Sequence, residues 1–314
     1  MKKLYAYEVN ETIDTTVLIK QADIRTAKNG NPFIAFTFQD RSGAMDGKYW
    51  SATPEEIERY QTGRVVHLIG RREIFNSQPQ VRIEKLFVLE DTDPNNDPSL
   101  YMESAPMTKD EMSDALQYYL FKITDGAINR IVRNILNQTT SDFFTFPAAK
   151  RHHHAFSGGL GFHTISILKI AEHLIEQYDQ LNPSLLYAGA ILHDIGKTIE
   201  LSGAVGTEYT LAGNLLGHIV IVDEMIATAC QELDIDQANE SVILLKHMIL
   251  SHHGKLEYGS PVRPQIMEAE VLHQLDMLDA TMNMLQSALD KTPAGEYSPR
   301  IFGLDNRAFY KPLK

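Results

Sequence analysis

Hydrophobic residues change their spacing near residue 90. Before it they fall in short β-branched or alternating runs: Thr15 to Ile19, Pro32 to Gln39, Ala44 to Trp50, Arg64 to Gly70 and Gln80 to Val88. Along Pro32 to Gln39, Phe36 and Phe38 share one face and Phe33 takes the other, the period of a half-buried strand. Asn29-Gly30-Asn31-Pro32, Asp40-Arg41-Ser42-Gly43 and Asn76-Ser77-Gln78-Pro79 are turn sequences. Thr53 to Gln61, with Pro54 at the first helical position, reads as a short helix. The pattern predicts five strands, with one helix between the third and fourth.

Beyond residue 90 the period becomes helical. Glu90 to Ser99 is acidic, holds two prolines and has no period, so residues 91–107 read as a linker. Thr108-Lys109-Asp110-Glu111 is a capping box that opens a helix through Lys122. A second helix starts at Thr124, with Ile128, Ile131, Val132 and Ile135 on one stripe; residues 108–150 form a helical connector. Further helices are expected from near His163, from Ser184 (as N-cap) to Leu192, from Gly213 to about Leu233, from Glu240 to Ser251 and from Pro264 to Asp290. The fold class is therefore multi-domain. An N-terminal all-β OB-fold barrel over residues 1–90 is followed by an all-α helical bundle over residues 151–295 and a tail over 296–314.

Composition narrows the setting. The 314 residues carry one cysteine, Cys230, which leaves no internal disulfide and suits a reducing cytosol. Glu8, Glu11 and Asp14 interrupt any apolar leader, and no run approaches the ~20 apolar residues of a membrane span. The expectation is a cytoplasmic protein with no membrane partner. The net charge of −12 is unevenly placed: residues 1–90 hold 13 Lys and Arg against 12 Asp and Glu, whereas residues 91–314 hold 16 against 29. The barrel alone is close to neutral, so the overall charge does not exclude a nucleic-acid partner there.

Histidine carries the chemistry. Of 12 histidines only His67 precedes residue 150; the other eleven fall between His152 and His273. His193-Asp194 ends an apolar helix before Gly196, and an imidazole and a carboxylate so placed are costly to bury without a partner. A metal ion suits both. His163 lies upstream, His218 and His252-His253 downstream, and Asp276 one turn from both His273 and Asp279 on a last helix. His247, five residues before His252, faces elsewhere and reads as a packed histidine. Nitrogen and oxygen donors without sulfur favour Mn²⁺, with Co²⁺ or Fe²⁺ as alternatives, over structural zinc. Either one ion or two, ~3.5–4 Å apart and sharing Asp194, could be held.

Other residues suggest substrate contacts. Gly158-Gly159 would let backbone approach a phosphate before a helix N-terminus, and one of His152, His153 and His154 would touch substrate. Lys197 would meet the scissile phosphate and His253 would protonate the leaving oxygen. On the barrel, Phe36, Phe38, Tyr49, Trp50 and Phe75 could stack bases (Tyr49 and Phe75 the better two), although alternate aromatics in a small barrel are more often core, with Arg71, Arg72 and Arg82 near the strand's backbone.

The order His, His-Asp, His, His, Asp resembles the HD metal-dependent phosphohydrolase superfamily. Barrel, acidic linker and helical domain resemble more narrowly the YhaM-type 3′–5′ exoribonucleases of Gram-positive bacteria. The motifs are Gly-Leu-x-x-His, Ile-Leu-His-Asp-Ile-Gly-Lys, Gly-Asn-Leu-Leu-Gly-His, Leu-Ser-His-His-Gly-Lys, Leu-Asp-Ala and the tail Phe302 to Pro312. Gly161-Phe162 and Thr281 depart from residues common in related enzymes. The resemblance implies His163, His193, Asp194, His218, His252 and Asp276 as ligands, and Asp194 in catalysis. It further implies a Mn²⁺- or Co²⁺-dependent enzyme that trims single-stranded RNA, and single-stranded DNA in vitro, to nucleoside 5′-monophosphates. The basic, aromatic tail from Arg300 to Lys314 hints at a homo-oligomer. Two other readings use the same residues: a phosphohydrolase of small nucleotides, and a non-catalytic OB-fold DNA-binding protein.

Overall fold

The computed structural model of the protein describes residues 2–27, 30–75, 78–102, 104–149, 154 and 156–313. The expected turn residues Asn29, Asn76 and Ser77, and also His152 and His153, lie outside the described residues. Two compact units divide the chain, Met1–Ser104 and Ala105–Lys314.

In the first unit β1 (Thr12–Thr26), β2 (Pro32–Asp40), β3 (Gly43–Trp50), β4 (Val65–Phe75) and β5 (Gln78–Val88) close a barrel in the order β1-β2-β3-β5-β4. β3 and β5 pair in parallel and every other pair is antiparallel. Helix α1 (Pro54–Arg59) joins β3 to β4. Its start is fixed by a capping box between Thr53 and Glu56. This strand order with a helix at that position is the OB-fold barrel that the pattern predicts. Phe36 and Phe38 point into the core with Ile13, Val17, Ile19, Met45, Leu68 and Val81. β1 is longer than its apolar run suggests, at 15 residues. Its first half pairs with β4 and its second with β2. The second half, Lys20 to Thr26, is exposed or half-buried, so it shows no apolar signal.

The second unit holds α2 (Lys109–Lys122), α3 (Gly126–Phe143), α4 (Gly159–Gln177), α5 (Pro183–Leu192), α6 (Lys197–Glu200), α7 (Leu211–Leu215), α8 (Gly217–Glu232), α9 (Glu240–Ser251) and α10 (Met267–Asp290). Every residue of α5 from Ser184 to Leu192 is buried, and α2, α3, α4, α9 and α10 pack around it. A helix apolar on all sides belongs at the centre of such a unit. Asn182, not Ser184, is its N-cap, because Pro183 occupies the first helical position. Ser184 Oγ instead accepts the N–H groups of Thr124 and Asp125, at 2.9 and 3.1 Å, tying α5 to the start of α3.

Two other boundaries differ from the sequence pattern. α4 begins at Gly159, which sets His163 inside the helix rather than at its start. The helix expected from Gly213 to Leu233 is broken at Gly217, whose φ of +74° no helix interior tolerates. The break turns the chain so that His218 opens α8 beside Glu200. No helix among the described residues is long and apolar enough to cross a membrane.

Candidate active site

Helix ends position the histidines. A helix C-terminus leaves carbonyls without intrahelical partners. At the end of α5, Nδ1 of His193 donates to Ala190 O at 2.9 Å; at the end of α9, Nδ1 of His252 donates to Ile249 O at 2.6 Å. His253 donates from Nδ1 to Tyr258 O at 2.7 Å. In the other two the acceptor is a carboxylate: His218 Nδ1 lies 3.1 Å from Glu200 Oε1, and His163 Nδ1 lies 2.7 Å from Asp279 Oδ2. All five imidazoles spend Nδ1 on an oxygen, which fixes the proton there and directs Nε2 elsewhere.

The Nε2 atoms converge on Asp194. His193 Nε2 and His163 Nε2 are 3.3 Å apart. They lie 3.5 and 3.7 Å from Asp194 Oδ2, and Asp276 Oδ1 approaches His163 Nε2 at 3.1 Å. On the other side Asp194 Oδ1 is 3.4 Å from His218 Nε2. The His252 ring packs 5.3 Å from that of His193 and 5.6 Å from that of His218, with His253 4.4 Å beyond it. The structure thus brings together all six expected ligand residues, with Asp194 between two groups.

The donor set fits a divalent cation. The Nε2 atoms of His218 and His252 are buried without a hydrogen-bond partner. An unsatisfied buried polar atom costs about 1–3 kcal/mol, and a cation would relieve both. Charge balance says the same. Burial opposes charge on His163, but Asp276 and Asp279 outweigh it and push its pKa up to about 10. Burial likewise opposes the Asp194 carboxylate, yet Lys197 and the surrounding histidines hold it well below the usual carboxylate range. Burial, together with neighbouring His253 and His193, depresses His252. The pocket holds fixed anions and lone pairs that a proton or a metal must neutralise.

Glu200 carried no local signal in the sequence, where it is one carboxylate in Lys197-Thr198-Ile199-Glu200. Folding places it against both the backbone N–H and the ring of His218, at 3.1 Å each. Asp279 sits behind His163 rather than at the substrate side. It also meets His154 Nε2 at 2.7 Å and accepts from Ser166 Oγ. His273 supports His252 through its carbonyl at 2.9 Å, and His247 faces away, accepting the Gln265 N–H at 2.9 Å.

Lys197 ion-pairs with Asp194 at 2.6 Å; burial opposes its charge, but Asp194 more than offsets this and raises its pKa. A cleft of about 470 Å³ opens beside it, lined by Lys197, His218, His253 and Asp276 on the side of the donors. Gly158 and Gly159 do not line that cleft. Both are buried, and their N–H groups bond to Thr145 O and Phe156 O at 3.0 Å. A Cβ on Gly159 would lie 2.0 Å from His154 O. The close approach that these glycines permit is of the chain to itself, which removes them as phosphate contacts.

On the barrel, the exposed residues differ from those expected. Tyr49 is half-buried against Tyr60, and its hydroxyl donates to Glu56 Oε1 at 2.5 Å, so it belongs to the core. Arg72 is likewise structural: its guanidinium donates to the carbonyls of Tyr5 and Tyr7. Trp50 and Phe75 are more than half exposed. Phe33, on the strand face opposite Phe36 and Phe38, stacks on Trp50 at 4.7 Å, and Lys48 Nζ lies 5.7 and 5.4 Å from the Trp50 and Phe75 rings. Arg71, Arg82 and Lys48 are direct partners across β4, β5 and β3, a cationic row beside two exposed aromatics. Arg82 also pairs with Glu73 at 3.4 Å.

A family model described as HD domain matches residues 160–281, which contain every donor above. The 3′-5′ exoribonuclease YhaM of Listeria innocua serovar 6a is 45% identical over 311 residues, covering 99% of this chain and 98% of that one. The chain belongs to the YhaM 3′-5′ exoribonuclease family. The YhaM proteins of Listeria monocytogenes serotype 4b (99% of both chains) and Listeria welshimeri serovar 6b (99% and 98%) are also 45% identical. Among solved structures, the second OB-fold domain of replication protein A from Methanococcus maripaludis aligns at 15% identity. It covers 28% of this chain and 90% of that one, with a TM-score of 0.21. Strand order, not that likeness, identifies the barrel.

Proposed function

We infer that the chain is a cytoplasmic, metal-dependent 3′–5′ exoribonuclease that shortens single-stranded RNA and releases nucleoside 5′-monophosphates. The observation that carries this reading is the convergence of four buried histidines and Asp276 around Asp194, beside a cleft that His218 and Asp276 line, in a chain of the YhaM family. His163, His193, Asp194 and Asp276 would hold one divalent ion; Asp194, His218 and His252, with His253 beside them, would hold a second. The absence of sulfur favours Mn²⁺. Ions bound there would supply an activated water and offset the charge growing on the phosphoryl oxygens.

Each remaining residue has a task of its own. Lys197, kept charged by Asp194, extends its ammonium to the scissile phosphate. Burial and His218 depress the pKa of His253, which suits a neutral donor at the second ion better than protonation of the leaving oxygen. Trp50 and Phe75 stack bases, while Lys48, Arg71 and Arg82 face the phosphates. Such stacking does not read the 2′-hydroxyl, so single-stranded DNA is a second substrate. Tethering the barrel to the nuclease raises the local concentration of the strand without altering the chemistry.

The test uses 5′-labelled RNA and protein stripped with chelator. Adding Mn²⁺ should produce a ladder that shortens from the 3′ end. Cleavage of free nucleotides alone, with the RNA left intact, would overturn the reading.

A further inference from the structure

We propose that Tyr258 and Tyr209 form a subsite for the 3′-terminal nucleoside that grips the base by its face and does not read its identity. The proposal rests on the nuclease reading above and adds what the aromatic lining of the cleft is for. The cleft lined by Lys197, His218, His253 and Asp276 is lined also by Tyr209, Tyr258 and Met277. A pocket that joins charged groups to aromatic rings matches a nucleoside monophosphate, with phosphoryl oxygens at the donors and a π-face against a ring.

Both side chains are partly exposed where they line the cleft. Tyr258 is 58% exposed and Tyr209 46%, though each stands on a fixed mount. Tyr258 ends a 3₁₀ turn, Leu256–Tyr258, closed by its N–H to Lys255 O, and its carbonyl accepts from His253. Tyr209 is joined to Leu201 by an antiparallel bridge, reinforced by the Ser202 N–H to Glu208 O bond. The mounts are thus part of the segments that hold His253 and Glu200. Lys255 Nζ lies 5.3 Å from the Tyr258 ring.

Among the described residues, the polar side chains of its lining are Lys197, Glu200, His218, His253, His273, Asp276 and the two tyrosines. Every base offers a π-face, so stacking on a tyrosine ring tolerates all four. The enzyme should remove all four nucleotides, with purines held more tightly than pyrimidines because they stack over more area.

Titration of the full-length Mn²⁺-loaded protein with adenosine 5′-monophosphate and with ribose 5-phosphate tests this. The nucleotide should bind at least about 5-fold more tightly, the low end of what one base gains by stacking on an aromatic ring. Tyr258→Ala should close that gap while leaving affinity for ribose 5-phosphate and for Mn²⁺ unchanged; Tyr258→Phe should keep it. Tyr209→Ala should remove part of the gap. Equal binding of the two ligands by the parent protein would overturn the subsite, as would parallel weakening of both by Tyr258→Ala. RNA shortening measured on the same preparation separates the two readings. Shortening without the gap removes only the subsite, and a gap without shortening leaves a nucleotide site and removes the nuclease.

Discussion

Asp279 Oδ2 lies 2.7 Å from His163 Nδ1 and 2.7 Å from His154 Nε2, so one carboxylate oxygen backs two buried imidazoles. A carboxylate behind a ligating histidine fixes its tautomer and raises its basicity, and losing one typically weakens metal binding 10–100-fold. Asp279→Asn should therefore lower Mn²⁺ affinity by about that factor, measured by calorimetric titration, while the helical circular dichroism is kept. Unchanged affinity would show that His163 is oriented by its packing alone.

Gly159 has no room for a side chain. Gly159→Ala puts a Cβ 2.0 Å from a backbone carbonyl, which only a shift of backbone can relieve. Overpacking of this kind costs roughly 1–3 kcal/mol. Urea denaturation of the helical unit should show at least that loss, with weaker Mn²⁺ binding because the displaced carbonyl belongs to His154.

The barrel separates aromatics that stack from those that support. Trp50→Ala should weaken binding to a long single strand by about 1–3 kcal/mol, as measured by fluorescence anisotropy of labelled RNA. Tyr49→Phe should leave that affinity unchanged and lower only the thermal stability, since it removes the bond to Glu56. Hydrolysis of a dinucleotide should be indifferent to both.

Glu172 gives the helical unit an acid-sensitive bond. Its carboxylate accepts from Lys122, and from Tyr118 and Tyr119 at 2.7 and 3.0 Å. The Lys122 hydrogen bond, with that of Tyr118 next, lowers its pKa. A group whose folded pKa is depressed contributes stability in full above its unfolded value, ~4.3 for Glu, and loses it as pH falls through the folded value. The stability difference between the parent and Glu172→Gln should be full at pH 7 and shrink as the solution is acidified below about pH 4. A difference that stays constant to pH 3 would mean that Glu172 acts through packing rather than charge.

Local chemistry made much of this molecule legible in the chain. Alternation in Ile34, Phe36 and Phe38 marks the inner face of a barrel strand, because a pleat turns successive side chains to opposite faces. The all-apolar run from Leu185 to Leu192 marks the central helix. Histidines at the ends of α5 and α9 could be read as convergent donors because helix ends carry free carbonyls, and a fold-back of three residues is a local matter.

Tertiary structure decided whatever depends on which distant group meets a side chain. Tyr49 and Trp50 are neighbours of similar chemistry, yet one is core and one is surface, since Tyr60 and Glu56 come from another element. Asp276 and Asp279 share a helix face, yet one turns to the donors and the other to the back of His163. Glu200 gains its role only because the chain breaks at Gly217. Residue type and spacing set what chemistry is available; the direction of a lone pair depends on a partner a hundred positions away, and packing alone supplies that.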